Sequence, residues 1–123
     1  MNAKHYVSLE AAKKLKELGY NEECACFCCD NGWDGWNLIR ENRYRKNEEM
    51  YPFECSCPTL LEAMDWLEKN FAFHISVYWR DGFWCYKTHF SWEELKIIDD
   101  NKEGVTDRNE CMQKAIEKAL ELL

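Results

Sequence analysis

The sequence predicts an α+β fold: a mostly antiparallel sheet of hairpins with three helices, N-terminal, central and C-terminal, packed on it. Three observations predict it. Helical periodicity runs through three separated stretches, SLEAAKKLKEL, PTLLEAMDWLEKN and CMQKAIEKALELL. Period-two runs joined by Asn-Gly and Asp-Gly turn signals fall between them. The strands come in groups rather than singly between helices, which points away from a parallel βαβ sheet. At 123 residues the chain suits a single α+β domain spanning residues 1–123.

In the first helix Ser8 is a good N-cap, and Glu10 suits the positive end of the macrodipole. Leu9, Ala11, Ala12, Leu15 and Leu18 recur at helical spacing. Gly19 falls where a left-handed residue ends a helix, with Tyr20 placed to fold back on Leu15. CACFCCD and WNLIREN then read as strands around Asn31-Gly32 and Asp34-Gly35. MYPFECSC follows with a period of two, confined by Pro52 to an edge or a strand start.

Thr59 and Glu62 form a capping box for the second helix, whose apolar face is Leu60, Ala63, Met64 and Leu67, with Trp66 on its shoulder. AFHISVYWR and FWCYKTHFS flank Asp81-Gly82, a type I′ signal. That turn would set Arg80 against Phe83 and Trp79 against Trp84, and every pair before them follows. Residues 92–99 read as a third strand in preference to a short capped helix, with NKEG as the next turn. The last helix starts near Thr106 or Asp107. Cys111, Met112, Ala115, Ile116, Ala119, Leu120 and Leu123 line its apolar stripe.

The composition narrows function. A formal charge of −7 argues against a duplex nucleic-acid binder, which needs Lys and Arg on phosphates. RENRYRK, Arg40 to Lys46, is the one basic cluster; it is an anion contact or a solvated edge, and the solvated edge is preferred. No apolar run approaches the ~20 residues of a membrane span, and MNAKHYVSLEAAKKL has no signal-peptide core. A cytoplasmic protein with reduced thiols is the expectation.

Eight cysteines are the conspicuous chemistry. On a strand, Cys24, Cys26 and Cys28 face one way and Cys29 the other. Neighbours on one face stand roughly 6–7 Å apart, whereas thiolates on one zinc, with Zn–S near ~2.3 Å, need sulfurs roughly 4 Å apart. No C-x-x-C knuckle occurs. A zinc site would have to draw Cys26 and Cys28 together with Cys55 and Cys57 from a second strand. The preferred expectation is no metal and no cofactor, with reduced cysteines serving as small buried apolar residues, Cys85 and Cys111 included. A disulfide framework is disfavoured in a chain able to build its own core.

Catalytic signals are weak. His74 and His89 would be cross-strand neighbours, and a satisfied or solvated pair is preferred to a metal or catalytic one. Cys85 and His89 lie four residues, about 13 Å, apart on one strand, too far for a Cys–His pair. No G-x-S-x-G, Walker loop, G-x-G-x-x-G or H-E-x-x-H is present, and no carboxylate pair stands out. Six Trp, six Tyr and six Phe remain to be placed. Trp33 and Trp36 flank one turn and Trp79 and Trp84 another, which fits both hairpin-stabilising pairs and a contact surface.

YVSLEAAKKLKELGYNE, CSCPTLLEAMDWLEKN, the hairpin FHISVYW and WCYKTHF, and CMQKAIEKALELL together resemble a small uncharacterised protein family of gut Bacteroidales and their phages or prophages. The resemblance implies a small, mobile-element-encoded intracellular protein and carries over no catalytic residue or cofactor.

The reading is thus a non-enzymatic protein that binds a protein partner or self-associates, possible contacts being Trp33, Trp36, Arg40, Arg43, Arg45, Trp79 and Trp84. A host factor is the partner the resemblance favours. The alternatives are a small anionic ligand or nucleotide held between aromatics and Arg40, Arg43 or Arg45, and a zinc module on Cys26, Cys28, Cys55 and Cys57.

Overall fold

The structure, a computed structural model, describes residues 5–30, 36–51, 54–90 and 97–123, and their side chains apart from those at 36, 41–43, 89, 90 and 97–103. Among the described residues it is an α+β fold with three helices and two antiparallel three-stranded sheets. The chain divides into two compact units, Met1–Thr59 and Leu60–Leu123.

The first unit holds α1 (Leu9–Glu17), β1 (Cys24–Asp30), β2 (Trp36–Arg45) and β3 (Glu54–Ser56), with sheet order β2-β1-β3. The Ser8 hydroxyl accepts from the Ala11 amide at 3.2 Å and starts α1. Its stop is a full Schellman motif: Tyr20 N–H donates to the Leu15 carbonyl, Gly19 N–H donates to the Lys16 carbonyl, and Gly19 has φ of +101°. Leu15 and Tyr20 are buried, each large enough to contribute about 1.5–3 kcal/mol by leaving water.

A single 3₁₀ turn, Asn47–Glu49, is stitched to the end of α1. The buried Asn47 amide donates to the Tyr20 carbonyl at 2.6 Å and accepts from the Ser56 amide at 2.8 Å. Asn21 accepts from the Glu48 amide. One side chain therefore satisfies two backbone groups that burial would otherwise strand.

The second unit holds α2 (Leu60–Phe71), β4 (Phe73–Arg80), β5 (Phe83–Phe90), β6 (Ile97–Val105) and α3 (Arg108–Leu122), with sheet order β4-β5-β6. Both helices pack on the sheet and against each other. The β4–β5 register runs from Phe73↔Phe90 to Arg80↔Phe83, as a type I′ turn requires. Asp81 and Gly82 have φ of +50° and +89°, the positive values that turn needs. Phe73, Ile75, Tyr86 and Thr88 are buried on the face that meets the helices, with Leu60, Ala63, Trp66 and Leu67 from α2. Asp107 caps α3, accepting from the Asn109 and Glu110 amides. Cys111, Met112, Ala115, Ile116, Ala119 and Leu120 form the buried stripe, while Leu123 lies outside it, exposed.

Two expectations change. The strands make two sheets instead of one. NKEG is not a turn: residues 101–104 lie inside β6, where the pairing shifts between Trp84↔Val105 and Tyr86↔Asn101. Gly104, with φ of +74°, sits at this bulge, so the glycine marked a bulge. Residues 97–99 are strand, while 92–96 lie outside the described residues.

Candidate functional site

The first candidate is built by strand pairing in the first unit. β1 and β3 run antiparallel with Cys28 opposite Cys55 and Phe27 opposite Ser56. The Cys57 amide donates to the Cys26 carbonyl at 3.0 Å, extending the ladder so that Cys26 faces Cys57. Side chains alternate along a strand, so Cys26, Cys28, Cys55 and Cys57 share one face. None is more than 5% exposed. α1 packs against β3, and its Lys16 ammonium donates to the Glu54 carbonyl at 2.8 Å. The Cys57 thiol donates to the Val7 carbonyl at 3.4 Å, and the Tyr20 hydroxyl meets Cys24 Sγ at 3.6 Å.

The sulfurs interact. A hydrogen bond with Cys55 lowers the Cys28 pKa, but the bond with Cys57, burial, and the neighbouring Cys57 and Cys26 outweigh it and push the thiol up to about 12. Cys55 is pushed up too, by its bond with Cys28 and by burial, against the pull of Lys16 and Lys13. At neutral pH both are protonated thiols, not nucleophiles. Among the described residues no three His, Cys, Asp or Glu side chains stand ready to hold a metal ion. All eight cysteines are reduced, and seven are buried, with Cys29 partly exposed.

The opposite face of this sheet carries a buried ion pair. Arg45 reaches Glu54 through two nitrogens, at 3.2 and 3.5 Å, and its guanidinium lies 4.7 Å from the Phe27 ring centroid. Burial raises the Glu54 carboxyl, but the Arg45 and Tyr51 hydrogen bonds and the charges of Arg45 and Lys16 outweigh it and hold the pKa below its usual value. Arg45, read from sequence as a ligand contact, is therefore turned inward and committed to Glu54.

The second candidate is the tip of the β4–β5 hairpin in the second unit. Trp79 and Trp84 are register partners, with ring centroids 5.4 Å apart in edge-to-face contact. Trp79 is nevertheless 58% exposed and Phe83, on the other face, 45%. Arg108, from the first turn of α3, lies over Trp84 at 5.5 Å. A Cβ on Gly104 would come within 2.6 Å of Phe83 Cβ and 3.3 Å of Cys85 Sγ, so β6 fits Phe83 closely.

The remaining sequence candidates do not converge on either place. Arg40 is exposed on β2, an edge strand of its sheet. Trp36 and Arg43 lie on β2 with side chains outside the description, and Trp33 lies outside the described residues. His74 and His89 are Cα partners, and His74 Nδ1 stands 3.5 Å from Glu68 Oε1. Sequence reasoning missed Glu54, Asn47 and Arg108. Glu54 alternates with Cys55 and is thereby marked for the opposite face, but nothing local reveals the partners of Asn47 or Arg108. No protein-family model, curated protein or solved structure matches the chain.

Proposed function

We propose that the protein acts by binding rather than catalysis, and that the tip of the β4–β5 hairpin is its contact with a protein partner. The observation that carries this reading is Trp79, 58% exposed on a turn whose register and ring packing hold it in place. Phe83, Arg80 and Arg108 surround the same tip, and Trp and Arg dominate binding energy at interfaces because they combine large contact area with directed polar groups. Side-chain entropy lost on binding is small for an indole already packed against its neighbour. The complementary partner surface is an apolar pocket rimmed by carboxylates. The resemblance to proteins of gut Bacteroidales and their phages makes a host protein the partner to seek first, in the cytoplasm, where free thiols persist.

Affinity capture from host lysate with the wild type and with Trp79→Ala tests the reading. A specific partner retained by the wild type and lost by the variant is expected, with unchanged circular dichroism. Capture of nothing but further copies of the chain, or retention of the partner by Trp79→Ala, would overturn it. The anionic-ligand reading is weaker because Arg45 is spent on Glu54.

A further inference from the structure

We propose that β4 is a dimerisation edge, on which β4 of a second copy of this chain pairs antiparallel and joins the two β4-β5-β6 sheets into one. Among the described residues the two sheets end on four edge strands, and three of these are blunted. β2 breaks register between Cys24↔Arg45 and Cys26↔Arg40, and its sequence carries Arg40, Glu41 and Arg43. β3 has three residues, set between Pro52 and Pro58. β6 shifts register twice, and its sequence carries Asp99, Asp100, Lys102 and Glu103. β4 has none of these devices. FHISVYWR pairs with β5 without a break over eight residues, contains no proline and carries its one permanent charge at the end, on Arg80. The two-residue turn makes Arg80 and Phe83 a hydrogen-bonded pair. Alternation then turns the peptide groups of Arg80, Tyr78 and Ser76 toward β5, and those of Ile75, Val77 and Trp79 to the open side. A regular edge of this kind is a template for another strand.

The strand's own sequence fits it as the occupant. Open-side peptide groups meet only when odd-numbered residues of one copy face odd-numbered residues of the other. With Ser76 on the twofold axis, Ile75 faces Val77, Phe73 faces Trp79 and His74 faces Tyr78, each pair occurring twice. Apolar side chains thus meet apolar ones on the helix-facing side, continuing the core face across the junction. At the centre Ile75 N–H donates to the Val77 carbonyl of the second copy, and Val77 N–H donates to the Ile75 carbonyl, which makes about four new hydrogen bonds in all. Charge selects the same register. Arg80 comes to lie diagonal to His74 of the second copy, on the face where Glu68 Oε1 stands 3.5 Å from His74 Nδ1. The Arg80 and Glu68 side chains are 52% and 50% exposed, so cation and carboxylate can pair across the axis. Moving the axis to Val77 sets Arg80 directly against the other His74, and moving it to Ile75 shortens the ladder.

Sedimentation velocity and native mass spectrometry of the full chain, under reducing conditions, read the number of copies. The wild type is expected to be a dimer that dissociates on dilution. Val77→Pro removes an N–H that points to the open side, where an edge strand tolerates proline, and should weaken association by about 100-fold or more. Glu68→Arg should weaken it by about tenfold, since two exposed ion pairs become two repulsions, and adding Arg80→Glu should restore it. Hydrogen exchange on the wild type is the second readout and decides the matter should Val77→Pro fail to fold. The Ile75 and Val77 amides should exchange fast in dilute monomer and gain protection as concentration rises. A wild type that stays monomeric at every concentration would overturn the proposal. So would a dimer that survives a folded Val77→Pro, or one whose Ile75 and Val77 amides remain unprotected. None of these outcomes touches the hairpin-tip contact, which is read separately by partner capture with Trp79→Ala.

Discussion

Replacing Glu54 tests whether the Arg45–Glu54 pair behaves as a buried charge pair. Both side chains are less than a tenth exposed, and the carboxylate also accepts from the Tyr51 amide at 3.1 Å. Glu54→Ala leaves a guanidinium without its counter-charge, which costs about 3–5 kcal/mol in buried settings. Glu54→Gln keeps the shape and removes the charge. Burial opposes the carboxylate more than any single favourable contact supports it, so the charge's net contribution is smaller than the loss from Glu54→Ala. The contribution has a pH signature. The folded pKa lies below the ordinary 4.5, so the stabilisation is complete above that value and is lost as pH falls through the lower, folded one. The gap between wild type and Glu54→Gln should therefore be constant near neutrality and close in acid. Urea unfolding followed by far-ultraviolet circular dichroism reads both effects; with m near ~2 kcal/mol/M, Glu54→Ala should shift the midpoint by about 2 M. A loss below about 1 kcal/mol for Glu54→Ala would show that water reaches Arg45 and would refute the buried-pair account.

Gly104→Ala should destabilise the second unit by about 2 kcal/mol or more, since it combines a positive φ with a Cβ 2.6 Å from Phe83 Cβ; thermal unfolding checks this. Asn47→Ala strands the Tyr20 carbonyl and the Ser56 amide and should cost about 2–4 kcal/mol, read by urea denaturation. Gly19→Ala should cost about 1 kcal/mol in the same assay, because a left-handed residue then carries a Cβ. In native protein, alkylation with mass-spectrometric mapping should modify Cys29 first and the seven buried cysteines far more slowly. Cys28 should gain little reactivity until the pH nears about 12.

Features set by neighbouring residues could be read from the chain. Asp81-Gly82 fixed eight register pairs because a two-residue turn leaves no freedom in alignment. Ser8, Gly19 and Asp107 marked helix ends because caps act within one turn. What depended on distant pairing could not be read. The match of Cys28 with Cys55 arises only when β3 crosses back to β1, beyond β2 in sequence. C-x-C spacing could show that one strand would not gather its sulfurs, but not that a second strand would bring others to meet them. Arg45 looked like one more solvent-facing cation in RENRYRK, since its inward turn depends on Glu54, nine residues later. NKEG misled because glycine serves bulges and turns alike, and the choice rests on β5.

The two sheet orders imply unequal routes to assembly. In β4-β5-β6 each strand joins the one just before it, so every pairing closes a short loop. In β2-β1-β3 the final strand must return to the first, and the chain between Phe27 and Ser56 has to be drawn shut before the ladder gains anything. The latter half can settle from near-neighbour encounters, whereas the former waits on a rarer meeting, and its cysteines stay open to oxidants until that meeting occurs.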